Sequence, residues 1–189
     1  ELFEPYVSSE NNNIVDEYQN HGGYLTFTVL DGSLLIVNKE LAAAEGIEIK
    51  SYEDLLNPKL KGKIATADPT TSSSAFAQLT NILLAKGGYE SEEAWEFVDK
   101  LIDQFDGKIQ SSSSSVYKSV VDGEMLVGLT YEDPVLRLLM DGADNVEIVY
   151  PEEGSVFLPA GLAIVKNAPH MENAKKFVDF LLGEEVQNI

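Results

Sequence analysis

Short apolar runs of strand length alternate along this chain with longer amphipathic stretches. That alternation restricts it to an α/β fold with a substantially parallel sheet. Strands are predicted at 24–30 and 34–37, separated by an Asp31-Gly32 turn, and again at 63–67, 108–110, 125–130, 146–150 and 158–165. Between them the apolar period lengthens to that of a helix. Residues 39–44 are alanine-rich and stop at Gly46. A longer helix begins near Ser73, carries Phe76, Leu79, Ile82 and Leu83 on one face, and ends at Gly87-Gly88. Further helices carry Trp95, Val98, Leu101, Ile102 and Phe105; then Val116, Tyr117, Val120 and Val121; then 134–140. The last, 170–182, places Ala174, Phe177, Val178 and Leu181 on its apolar face. Ser51 and Asp54 have the spacing of a capping box.

Composition then removes whole classes of function. Of 189 residues, 32 are acidic and 13 basic, so the net charge is -19. Nucleic-acid binders carry a basic face, and anionic membranes repel such a chain, so neither is expected as a partner. Cysteine is absent, which excludes disulfides and thiolate metal sites. The two histidines, His21 and His170, are too far apart for a short-range metal motif. No apolar run approaches the roughly 18 residues of a membrane helix. Glu1-Leu2-Phe3-Glu4-Pro5 has neither the basic nor the apolar region of a signal peptide.

Chemistry concentrates at strand ends. Two segments share one arrangement of strand, hydroxyl-rich turn and helix: Asp68-Pro69-Thr70-Thr71-Ser72-Ser73-Ser74, and Gln110 followed by Ser111 to Ser115. The first N–H groups of a helix have no internal partner, and the helix dipole places partial positive charge there. Small hydroxyl residues admit an anion and add donors, which makes Thr71, Ser72, Ser73, Ser74, Ser112, Ser113 and Ser114 candidate ligand residues. The same residues would serve simply as helix caps. A third segment, Tyr131-Glu132-Asp133-Pro134, ends a buried strand with two carboxylates that can accept from sugar hydroxyls or ammonium groups. Asp133 would equally cap a helix starting at Pro134. Tyr24 and Tyr131 offer stacking surfaces. No Ser-His pair, phosphate-binding loop, HExxH or dinucleotide fingerprint is present, so an enzyme is not expected.

In order along the chain, these motifs resemble the ferric-ion-binding-protein-like family of type II extracytoplasmic solute-binding proteins. The resemblance rests on Glu4-Pro5-Tyr6 with Tyr18 and Gly23-Tyr24, and on Val37-Asn38-Lys39-Glu40-Leu41. Its most diagnostic string is 51–64, from Ser51-Tyr52-Glu53-Asp54 to Lys63-Ile64. The segments 68–76, 122–128, 160–165 and 174–182 continue it.

The resemblance implies a periplasmic-binding-protein-like type II α/β fold with one complete three-layer α/β/α lobe. Residues 1–34 would be the end of the first lobe and the first hinge crossing, 35–155 the second lobe, and 156–189 the return strand and a first-lobe helix. Most of the first lobe would then lie outside this chain. It also implies the capturing subunit of an ABC importer, closing by a hinge, monomeric, extracytoplasmic (periplasmic or lipid-anchored), without a cofactor, and partnered by a permease. Iron-binding members place two adjacent tyrosines where this chain has Glu132-Asp133, with Tyr131 alone beside them, which argues against ferric iron. A small anionic solute, a phosphorylated sugar, fits the hydroxyl-rich turns together with Glu132 and Asp133. Phosphonate, ferric iron or another metal, thiamine or a polyamine are the alternatives. A phosphate-ester hydrolase or a receptor sensor domain ranks below them.

Overall fold

The computed structural model describes residues 2–188, so the Glu1 of the signal-peptide reading and the outermost residue of each expected terminal segment lie outside the described residues. The strands are β1 (Phe3–Glu4), β2 (Thr26–Asn38), β3 (Ile64–Ala67), β4 (Ile109–Gln110), β5 (Val127–Tyr131), β6 (Val146–Val149), β7 (Phe157–Leu162) and β8 (Ile164–Val165). The helices are α1 (Lys39–Glu45), α2 (Ser73–Ala85), α3 (Glu92–Phe105), α4 (Ser113–Val121), α5 (Glu132–Met140), α6 (Met171–Leu182) and α7 (Glu184–Gln187). The chain divides into two compact units, one being Gly32–Phe157 and the other the residues up to Asp31 together with those from Leu158 onward. No helix among the described residues is long and apolar enough to cross a membrane.

In the Gly32–Phe157 unit the sheet order is β4-β3-β5-β2-β6. β3 runs parallel to β4 and to β5, whereas β2 lies antiparallel to both β5 and β6. β3, β4, β5 and β6 therefore point the same way, with β2 inserted against them. The parallel sheet expected from the sequence is thus a mixed one, because β2 enters from the opposite edge. All four parallel strands end at one edge, which is where α2, α4 and α5 begin.

β2 shows why this sheet is central. Leu34, Leu35, Ile36 and Val37 are each at most 1% exposed, and alternate residues face opposite ways. Leu35 and Val37 join a core with Tyr52, Leu55, Ile82, Phe97 and Leu101, while Leu34 and Ile36 join a second core with Val116, Val120 and Val135. Burying four such side chains contributes on the order of 6–12 kcal/mol gross, an upper bound set by the unfolded reference. Gly128 lets α4 approach: a Cβ there would meet Ile36 Cγ2 at 3.0 Å and Val116 Cγ1 at 3.1 Å.

In the other unit β1 pairs antiparallel with β8. Asp179 on α6 accepts from Tyr6 Oη at 2.8 Å and Ser8 Oγ at 2.6 Å. Burial acts to raise the Asp179 pKa, but the Ser8 and Tyr6 hydrogen bonds outweigh it and hold the carboxyl below its usual range.

Several sequence expectations are corrected. The predicted Asp31-Gly32 turn is not a turn; β2 runs unbroken through it. Gly32 serves packing there, since a Cβ would come within 2.7 Å of the Phe157 ring. The predicted 158–165 strand breaks at Ala163 into β7 and β8. On α2, Phe76 is 60% exposed, and the buried face instead carries Ala75, Gln78, Asn81, Ile82 and Leu83, because two amides there are satisfied internally. On α3 Phe97 is buried while Trp95 and Ile102 are exposed, and on α6 Phe177 is exposed. The reciprocal Ser51–Asp54 capping box is present, Asp54 N donating to Ser51 Oγ at 3.3 Å and Ser51 N to Asp54 Oδ2 at 2.9 Å.

Candidate functional site

Two helix starts at the shared edge have the same construction. In α2 the Ser72 hydroxyl accepts from Ala75 N at 3.3 Å and lies 3.1 Å from Ser74 Oγ. In α4 the Ser112 hydroxyl accepts from Ser115 N at 3.2 Å and lies 3.0 Å from Ser114 Oγ. Ser72 and Ser112 are thus caps, each satisfying one orphan donor. The N–H groups of Ser73, Ser74, Ser113 and Ser114 take no partner among the described residues. Thr71 and Ser73 are exposed; Ser72, Ser74, Ser112, Ser113 and Ser114 are half-buried. Asp68, just before α2, accepts from Thr70 Oγ1 at 2.7 Å and Thr70 N at 2.8 Å. Those bonds hold its carboxyl below the usual range. No lysine or arginine occurs in 68–74, 110–115 or 130–134. The donors that these three segments themselves offer an anion are therefore neutral groups and helix dipoles.

Because the sheet order is β4-β3-β5 and neighbouring strands lie about 4.8 Å apart, the starts of α4, α2 and α5 fall side by side. α5 starts at Glu132, two residues before the predicted position, so Asp133 is not the N-cap. Tyr131 occupies that position and makes no side-chain cap. Asp133 is exposed and accepts instead from Arg137 Nε at 3.3 Å, an i,i+4 surface pair that contributes little to stability. Glu132 is half-buried and accepts a hydrogen bond from Tyr150 Oη. Tyr24 lies in the other unit and is 42% exposed. The structure therefore brings ten of the eleven candidates to one edge of one unit.

The sequence reading passed over three features of this edge. Tyr150 and Phe157 stack at 6.3 Å with 22° between their planes. Behind the edge lies a buried amide network. Tyr52 Oη donates to Gln78 Oε1 at 3.0 Å, and Gln78 Nε2 donates to Leu34 O at 2.8 Å and to Thr130 O. Asn81 Oδ1 accepts from Val156 N at 2.7 Å. The segment leading to Phe157 is pinned a second time by Glu153, which accepts from Tyr52 N at 3.1 Å and Lys86 Nζ at 3.2 Å. Parallel strand direction is the signal that could have found Tyr150, since it places the end of β6 with the other strand ends.

Burial acts to raise the Glu153 pKa, but its hydrogen bonds to backbone N–H groups and Lys86 outweigh this and hold it below 4.5. A carboxylate lowered on folding stabilises above its unfolded value, and the benefit fades as pH falls through the lowered one. Glu153→Gln is expected to cost about 1–2 kcal/mol at neutral pH. In thermal unfolding the gap between variant and parent should close as the pH is taken below 4.5. A gap independent of pH would mean that the charge of Glu153 is not what stabilises the turn.

A family model described as bacterial extracellular solute-binding protein matches residues 1–189. The chain belongs to that family. Among solved structures it is similar to the periplasmic binding protein AfuA from Actinobacillus pleuropneumoniae, which has exogenous fructose-6-phosphate bound. The identity is 30% and the TM-score 0.84, covering 98% of this chain and 59% of that one. The fold is that of type II periplasmic binding proteins. Iron uptake protein A1 of Synechocystis is 29% identical over 202 residues, covering 98% of this chain and 53% of the relative. The spermidine/putrescine-binding periplasmic protein of Escherichia coli is 26% identical over 152 residues, covering 76% of this chain and 41% of the relative. The chain spans about half the length of the curated relatives it matches, 55% and 53% for two of them. Relatives of nearly equal identity are named for different cargoes, so identity does not select a ligand for this family member; the site chemistry has to.

Proposed function

We propose that this chain contributes the ligand-holding lobe of an ABC importer's solute-capturing subunit, and that its cargo is a phosphorylated sugar. The carrying observation is the pair of matched helix starts at one strand edge, each with two N–H groups that have no partner among the described residues. On this reading residues 35–155, which lie within the Gly32–Phe157 unit, are the second lobe and the flanking residues belong to the hinge and first lobe. Thr71 to Ser74 and Ser112 to Ser114 hold the phosphate, Glu132 and Asp133 accept from sugar hydroxyls, and Tyr131 and Tyr24 provide stacking surfaces. The protein acts as a monomer outside the cytoplasm, delivers to a permease, and turns nothing over. The likeness to AfuA supports a phosphorylated cargo.

A cationic cargo is the second reading, favoured by the net charge of -19 and the adjacent Glu132 and Asp133. Titration calorimetry on the complete gene product separates the two. The panel is fructose 6-phosphate, glucose 6-phosphate, the free hexoses, inorganic phosphate, ferric citrate and spermidine. Binding of a sugar phosphate, with the free hexose silent and inorganic phosphate weaker, is the expected result. Binding of ferric citrate or spermidine alone would overturn it.

A further inference from the structure

We infer that Tyr150 and Phe157 form an aromatic shelf that receives the sugar ring, with Glu132 at its end accepting from a ring hydroxyl. The inference rests on the sugar-phosphate reading and assigns the part of the site that selects a cyclic cargo. The two rings leave 44% and 45% of their residues' surface exposed, although Tyr150 directly follows β6 and the segment leading to Phe157 is held by hydrogen bonds. Large aromatic side chains held rigid yet uncovered present a ready contact surface at small entropic cost.

The geometry accounts for the shelf's position. β5 and β6 end at the same edge with β2 between them, so Tyr150 reaches past β2 to hydrogen-bond Glu132. Gly32 lies on β2 at that edge, and its missing Cβ leaves the space that the Phe157 ring fills. Asn81 and Glu153 fix the 153–156 segment leading into Phe157. The Tyr150 phenol is committed as a donor: partial burial, then Glu132, push its pKa up to about 12. Only Oε1 of Glu132 is engaged by Tyr150; Oε2 takes no partner among the described residues. A sugar offers complementary surfaces, a C–H face for the rings and hydroxyls for the free carboxylate oxygen. Inorganic phosphate has no such face.

The test compares a cyclic with an acyclic phosphate on the complete gene product. Tyr150→Ala is expected to weaken glucose 6-phosphate or fructose 6-phosphate by about tenfold or more, while glycerol 3-phosphate and inorganic phosphate stay within about twofold. Phe157→Ala, a second variant against misfolding of the first, is expected to act in the same direction. Tyr150→Phe, which keeps the ring, should retain most of the affinity. Equal loss for cyclic and acyclic phosphates, or no loss for either, overturns the shelf and leaves the phosphate reading intact. If the parent protein binds inorganic phosphate but no sugar phosphate, the shelf fails. If it binds no phosphorylated compound at all, the underlying reading fails and the shelf with it.

Discussion

Replacing Gln78 by leucine is expected to lower the unfolding free energy by about 3–5 kcal/mol, one of the largest single effects available in this chain. Gln78 is 1% exposed and every polar atom of its side chain is used. Without it the Tyr52 hydroxyl loses its acceptor, and the carbonyls of Leu34 and Thr130 lose a donor. Each group left buried and unpaired costs about 1–3 kcal/mol, and the better packing of leucine returns only part of that. Tyr52→Phe should also destabilise, since Gln78 Oε1 loses its donor and Asn81 Nδ2, which donates to Tyr52 Oη, loses that acceptor. The double variant should cost clearly less than the sum of the two, because both partners of one hydrogen bond are then gone. Urea unfolding reads this as a lower midpoint at unchanged slope. Strictly additive losses would mean that the two side chains are not coupled. The network also matters for the site, since Gln78 ties α2 to the Thr130 carbonyl near the end of β5 and to the Leu34 carbonyl of β2, behind the start of α2 and Tyr131.

This network explains why α2 was the element least legible in the sequence. Helical periodicity sorts residues by apolarity, and it put Phe76 inside. The buried positions Gln78 and Asn81 are polar, and only the tertiary partners Tyr52, Leu34, Thr130 and Val156 make their burial tolerable. Gly32 misled for a related reason. A glycine after aspartate between two apolar runs is a turn signal by local chemistry, but here it was selected by the Phe157 ring across the fold. What local rules govern was readable: the Gly46 stop, the Ser51–Asp54 capping box, and the Ser72 and Ser112 starts. The common edge of the candidate residues followed from strand direction. The pairing of Tyr150 with Glu132 did not, because it joins residues 18 apart across an intervening strand.

The same helix starts permit a test that separates capping from ligand binding, with a large expected effect on affinity. Ser73 and Ser113 occupy the first helical positions, where proline is tolerated because the N–H has no helical acceptor. The residue before a proline must be extended, and Ser72 (φ −124°, ψ 119°) and Ser112 (φ −157°, ψ 161°) already are. Ser73→Pro and Ser113→Pro should therefore leave the melting temperature close to that of the parent, with both capping hydroxyls still in place. Each removes one N–H directed at the proposed phosphate, and a hydrogen bond to a charged group contributes about 1.5–3 kcal/mol, or roughly 10–100-fold in affinity. The double variant should bind sugar phosphate about 10²–10⁴-fold more weakly. Ser73→Ala, which keeps the N–H and loses only the hydroxyl, should fall between parent and proline variant. A stable double proline variant with parental affinity would reduce Ser72 to Ser74 and Ser112 to Ser114 to helix caps. Recognition would then pass to Glu132, and Glu132→Gln in the same assay, with spermidine as the probe, would show whether a cation takes the phosphate's place.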